Sequence, residues 1–243
     1  MQRYFVNANQ INKDHITIIN GDVHHIKNVM RMKIGDNIIC ACDGDAYLCI
    51  IESILDIVNC KIIEKIKKHS ELNGTISIAH GLVRREKTEE VVRRLVELGC
   101  SEYIPLIMKR SIVKVDKMND KNDRLLKIIK EASEQSQRNV LMKLSPVLKI
   151  DDLIKNLNKY DLLLLADANE DNYLLKDIGF NNKYHHILVV IGPEGGFDDK
   201  EKELLVQNGF KVVSFGNRVL RTETAPLYVT SVLSYLLGEE DED

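Results

Sequence analysis

The chain has 243 residues, 44% apolar and 29% charged, with a formal net charge of −3. That composition excludes a disordered or fibrous chain, and the length allows a small domain beside a medium one, each with its own core. No apolar run reaches the roughly 20 residues that cross a bilayer, and the N-terminus lacks a signal-peptide core, so a cytoplasmic location and no membrane partner are expected.

The first 70 residues read as short strands at 16–19, 37–42, 47–54 and 60–68, with one short helix at 24–32. Turn signals such as Asn20-Gly21-Asp22 and Asp43-Gly44-Asp45 part them, which suits a small β-barrel-like domain over 1–70. Glu71-Leu72-Asn73-Gly74 reads as a boundary, and from 74 to 243 the pattern changes. Strands are expected at 75–80, 102–107, 162–166, 186–191 and 211–215. Helices are expected at 86–98, 123–135, 198–208 and 224–237, with a short one capped by Asp151-Asp152. Alternating strands and helices imply an α/β domain with a mostly parallel sheet. Its ligand should sit at the carboxyl ends of the strands. The acidic tail 238–243 reads as a disordered end.

Charge is distributed unevenly. Residues 73–149 carry 16 basic and 10 acidic side chains, whereas residues 150–243 carry 9 and 18. A basic middle segment is the footprint of a polyanion-binding surface, although solvated helix faces give the same count. The five cysteines (40, 42, 49, 60 and 100) have neither zinc nor redox spacing and read as small buried residues; no metal is expected.

Two loops stand out. Ile191-Gly192-Pro193-Glu194-Gly195-Gly196-Phe197 follows one strand, and residues 215–225 follow another. Glycines let backbone turn sharply and approach a ligand. The second loop sets Arg218, Arg221, Glu223, Thr222 and Thr224 within seven residues. The first loop lacks the Gly-Lys-Ser/Thr ending of a phosphate-binding loop and the glycine spacing of a dinucleotide fingerprint. Main chain around Gly192, Gly195, Gly196, Gly216, Asn217 and Leu220 can grip a ligand, with Leu165, Ile191, Phe215 and Leu220 as apolar walls.

These loops resemble the signature of the RsmE family, the ribosomal RNA small subunit methyltransferase E proteins of the SPOUT superfamily. Arg3-Tyr4-Phe5-Val6, residues 25–31, Glu97-Leu98-Gly99, Lys109-Arg110-Ser111 and residues 131–138 resemble other segments of that family, so the likeness spans the chain. Departures are Arg84 and Arg85 where a lysine is usual, no tryptophan, and Gln137 and Met142 in the central segment. The resemblance implies a PUA-like RNA-binding domain followed by a trefoil-knotted methyltransferase domain, with the knot in roughly 162–237. It also implies a homodimer, S-adenosylmethionine (SAM) as cofactor, and N3 methylation of a uridine in the decoding region of 16S rRNA, free or in the small subunit.

On that reading the cofactor residues are Leu165, Ile191, Gly192, Pro193, Glu194, Gly195, Gly196, Phe215, Gly216, Asn217, Leu220, Arg221, Thr222, Thr224 and Ala225. Arg221 is the cation that steadies an ionised uracil, with Glu223 beside it. Arg31, Arg84, Arg85, Lys87, Arg110, Arg124, Gln135 and Arg138 are the RNA-contact candidates. A non-catalytic rRNA-binding or ribosome-assembly protein of the same fold, and a nucleotide-using enzyme with an open sheet, are the competing readings.

Overall fold

The computed structural model describes residues 1–67, 70–113, 122–170, 173–180 and 183–238. Residue 68 of one expected strand and 239–243 of the expected tail lie outside them. Among the described residues the chain divides into two units: 1–71 with 133–141, and 72–132 with 142–238.

The first unit is a six-stranded sheet. Its strands are β1 (Arg3–Phe5), β2 (Ile11–Asn12), β3 (His15–Ile18), β4 (Asn37–Cys42), β5 (Asp45–Ile54) and β6 (Val58–Ile66), in the order β1-β4-β5-β6-β3-β2. Only β1 runs parallel to its neighbour; the other pairs are antiparallel. The expected helix at 24–32 is a short α1 (Gly21–His24) continued by a π-type turn at His25–Val29. Alternation along the strands sends Tyr4, Ile16, Ile18, Ile38, Cys40, Cys49, Ile51, Val58 and Cys60 into one core. All five cysteines of the chain are buried, as expected.

Residues 133–141 group with this unit. The reason is electrostatic. Glu71 accepts two hydrogen bonds from Arg138, at 2.7 Å from Nη2 and 3.2 Å from Nε. It also accepts from the backbone N–H groups of Asn139 and Val140. Arg3 donates to the Arg138 carbonyl and to the Asn139 side chain, and Ser70 donates to the Gln137 carbonyl.

The second unit is a seven-stranded sheet in which every strand pair among the described residues is parallel: β7 (Thr75–Gly81), β8 (Glu102–Ile107), β9 (Lys143–Leu144), β10 (Leu148–Lys149), β11 (Leu162–Ala166), β12 (His186–Ile191) and β13 (Lys211–Val213). The order is β10-β8-β7-β12-β11-β13, with β9 also on β8. Helices α2 (Arg85–Glu97), α3 (Asn122–Gln135), α4 (Ile150–Ile154), α5 (Asp199–Gln207) and α6 (Ala225–Leu237) complete it. Two apolar clusters lie among these elements; α2, α3 and α6 contribute to one, and α4 and α5 to the other. Helix boundaries follow local chemistry. Asp198 and Glu201 form a capping box at the start of α5, and Gly99 takes φ +83° just after α2. In the middle of the sheet, β12 reads as an unbroken apolar run because both faces are covered.

Removing the carboxylate of Glu71 takes away an acid that pairs with the buried Arg138 guanidinium at 2.7 Å. Glu71→Ala should therefore lower unfolding free energy by about 3 kcal/mol or more in urea titrations. A loss under about 1 kcal/mol would mean the pair does not hold residues 133–141 in place.

Candidate functional site

The carboxyl ends of β11, β12 and β13 open onto one cavity of about 740 Å³ in the second unit, within the range of small-molecule sites. Ala166, Ile191 and Val213 end these strands and form part of its wall. The loop after β12 and the loop before α6 form most of the rest.

Close packing shapes the first loop. A Cβ on Gly81 would lie 2.6 Å from both the Cδ and the N of Pro193, so only glycine lets the end of β7 meet this loop. A Cβ on Gly195 would lie 2.9 Å from the Arg110 Cβ. Gly196 has φ +67°, the left-handed region glycine enters without strain. Arg110 donates to the Gly195 carbonyl at 3.3 Å.

The second loop is held by side chains. The Thr222 hydroxyl lies 2.8 Å from the Gly192 carbonyl, and the fully buried His80 lies 2.9 Å from the same hydroxyl through Nε2. His80 Nδ1 in turn lies 3.2 Å from the Tyr103 hydroxyl. Burial pushes His80 down to about 4, against a hydrogen bond with Thr222 and the charges of Glu194 and Glu223. The imidazole is therefore neutral at pH 7.

Carboxylates and cations alternate around the cavity. Lys87 bridges Glu223 at 3.0 Å and Glu194 at 3.2 Å, and the two carboxylates hold its ammonium above its ordinary range. Burial pushes the Glu223 carboxyl up. Its own backbone N–H, the Lys87 hydrogen bond and the charges of Lys87 and Arg221 outweigh burial and leave it below the usual range. Lys202 likewise pairs with Asp167, which also accepts from the Asn169 N–H. Arg221 stands 85% exposed, with Glu223 Oε1 at 4.0 Å.

Most of the expected cofactor residues converge on the cavity: Ile191, Gly192, Pro193, Glu194, Gly195, Gly196, Phe215, Gly216, Leu220, Arg221, Thr222 and Ala225, together with Glu223. Three do not line it. Leu165 is buried in the core with Leu188 and Val190, because alternation along β11 turns its neighbour Ala166 to the cavity instead. Asn217 and Thr224 are exposed beside it.

The RNA-contact candidates scatter. Arg31, in the first unit, is exposed and has φ +52°. Arg84 and Gln135 are exposed. Arg85 and Arg124 both bind Glu89, Arg124 through two hydrogen bonds of 2.6 and 2.8 Å. Lys87 and Arg110 line the cavity. Arg138, only 3% exposed, is taken up by Glu71 and presents no surface cation.

Sequence reasoning missed His80, Gly81, Asp167 and Lys202. The strand-end positions of His80 and Gly81 were the one signal present. The pairing of Asp167 with Lys202, 35 residues apart, had none.

The fold and the cavity define a class. The model of the RNA methyltransferase domain family matches residues 70–234, and that of the RNA methyltransferase PUA domain matches residues 18–63. A ribosomal RNA small subunit methyltransferase E from Bacillus subtilis (strain 168) is 38% identical over 97% of this chain and 96% of its own length. The chain belongs to the ribosomal RNA small subunit methyltransferase E family. Among solved structures, the Neisseria gonorrhoeae enzyme of that name, bound to S-adenosyl methionine, superposes with a TM-score of 0.87 at 25% identity, covering 97% of this chain and 98% of that one. A Legionella pneumophila protein in complex with SAM gives 0.86 at 29% identity, covering 96% of each chain.

The His80 environment has a consequence for acid stability. The unfolded chain takes up a proton near pH 6.5 and the folded site only near 4. Stability is therefore undiminished above pH 6.5, falls as pH drops toward 4, and loses nothing further from this group below that. The expected loss is on the order of 3 kcal/mol. His80→Gln, which cannot titrate, should flatten this part of the pH profile in denaturant unfolding. An unchanged slope would show that His80 does not carry it.

Proposed function

We propose that this chain methylates 16S rRNA of the small ribosomal subunit with SAM as methyl donor, at N3 of a uridine in the decoding region. The observation that carries the reading is the cavity itself. It is walled by backbone of two glycine-bearing loops, with an exposed arginine at its rim and an ionised glutamate 4.0 Å away.

The residues present suit the cofactor. Ala166, Ile191, Val213, Phe215, Leu220 and Ala225 offer an apolar bed for a flat base. Gly192, Gly195, Gly196 and Gly216 bring main chain to the cavity wall. Asp167, Glu194 and Glu223 place negative charge around the cavity, which suits a sulfonium and an ammonium. When bound, the cofactor supplies a methyl group already activated for in-line displacement.

The chain's own residues prepare the acceptor. Uracil N3 carries a proton and attacks only once that proton is lost. Arg221 can place its guanidinium on the carbonyl oxygens that take up the resulting charge. Glu223, ionised at neutral pH and steadied by Lys87, is the nearby acceptor of hydrogen bonds. Phosphates are the proposed partners of Arg31, Arg84, Arg85, Arg110 and Arg124, which present cationic groups at the surface.

A homodimer is part of the proposal. Helix α6 leaves Tyr228, Tyr235 and Leu236 exposed, Tyr235 at 87%, and such a face favours a second copy. A trefoil knot within 162–237 and a cytoplasmic location complete the reading. No helix among the described residues is long and apolar enough to cross a membrane.

Arg221→Ala should lower methyl transfer to small-subunit rRNA by roughly a hundredfold or more, a far larger loss than any in SAM affinity measured by calorimetry. Full activity in that variant removes Arg221 from the mechanism. Affinity for rRNA should fall steeply with salt, and replacing a phosphate-binding surface arginine by alanine should reduce the slope by about one. A flat salt response would sink the phosphate assignment.

A further inference from the structure

His80 is the last residue but one of β7, between two neighbouring strands, opposite Ile191 of β12 and Pro105 of β8. It is fully buried, and neither motif loop contains it. Its two ring nitrogens lie in a row of four groups: Tyr103 hydroxyl, His80 imidazole, Thr222 hydroxyl and Gly192 carbonyl, spaced 3.2, 2.9 and 2.8 Å.

Proton counting gives this row a direction. A carbonyl oxygen only accepts, so the Thr222 hydroxyl gives its one proton to Gly192. The hydroxyl can then only accept from His80, which must carry its proton on Nε2. Nδ1 is left as an acceptor and takes the proton of the Tyr103 hydroxyl. Each contact in the row uses one donor and one acceptor, so turning one group breaks its neighbour's hydrogen bond as well.

We propose that His80 is a positioning residue for the SAM cavity: held as the Nε2–H tautomer by Tyr103, it fixes the Thr222 hydroxyl and so clamps the loop before α6 to the loop after β12. The inference rests on the reading of that cavity as the SAM site. Its physical basis is that Gly192 has no side chain of its own to hold it. Its position depends on Pro193 packed on Gly81 and on the hydrogen bond its carbonyl receives. Thr222 stands next to Arg221 and Glu223, so the same clamp sets where those side chains leave the backbone. His80 touches neither RNA nor cofactor in this role; it acts through Thr222.

The test has an arm that needs no variant. Nitrogen-15 NMR of histidine-labelled protein at pH 7, without SAM, should show His80 as a neutral Nε2–H imidazole. An Nδ1–H tautomer or a charged ring overturns the proposal. The second arm is SAM affinity by calorimetry. His80→Leu should weaken binding about tenfold or more, whereas His80→Gln, which keeps a donor toward Thr222, should stay within about threefold of the parent. Thr222→Val should weaken binding as His80→Leu does, with Thr222→Ser near the parent, and the double variant should be no weaker than either single one.

A histidine that only fills the core would lower melting temperature and leave SAM affinity unchanged. That result overturns the proposal, as does equal weakening by His80→Leu and His80→Gln. If His80→Leu does not fold, the tautomer and the Thr222 pair decide. If the parent protein itself ignores SAM, the reading of the cavity fails, while the tautomer still tests the proton row on its own.

Discussion

One constraint organises the second unit: the end of β7 and the loop after β12 occupy a space that admits no side chain. Because these strands are parallel neighbours with His80 opposite Ile191, their next residues, Gly81 and Gly192, arrive together. Pro193 then sits directly on Gly81. With the loop pressed over the end of β7, its glycines are left to bound a cavity. The Gly192 carbonyl is placed where a hydroxyl from the loop before α6 can reach it. A methyl group at position 81 would lift Pro193 and disturb both sides of that arrangement.

Electrostatics then sorts the cations. Lys87 pairs with two carboxylates at once, and Lys202 pairs with Asp167, so these ammoniums balance acids that line the cavity. Arg221 is different. Its contact with Glu223 is long, its side chain is mostly exposed, and no group among the described residues takes up its hydrogen-bonding capacity as Glu71 does for Arg138. Two arginines that look alike in sequence thus have opposite parts: one is a buried strut, and the other is open to an incoming anion. The difference arises from where the nearest carboxylate lies and how much water is excluded around it.

The first unit shows a related pattern. A single carboxylate, Glu71, takes hydrogen bonds from a guanidinium and two backbone N–H groups of a segment nearly 70 positions further on. That many donors on one acid offset its partial burial. The segment is thereby held beside β1, whose Arg3 supplies the remaining donors.

Much of this was legible in the residues. The apolar runs at 162–166 and 186–191, the capping pair Asp198 and Glu201, and the glycines of both motif loops are local signals, and the local structure obeys them. Strand β1 and the edge strands β9 and β10 were not legible, since two or three residues are too few to show a period. Nor was the choice of Ala166 over Leu165 as wall, which depends on which face of β11 meets the cavity. The sequence by itself determined where backbone could bend, where it would be buried, and that the polar residues of 218–224 needed partners. Only the tertiary structure decided who the partners are: Thr222 meets a histidine 142 positions away, and Arg138 is lost to the surface. The physical reason is that periodicity is written along one strand or helix, whereas partnership depends on strand order, and no single segment encodes its neighbour.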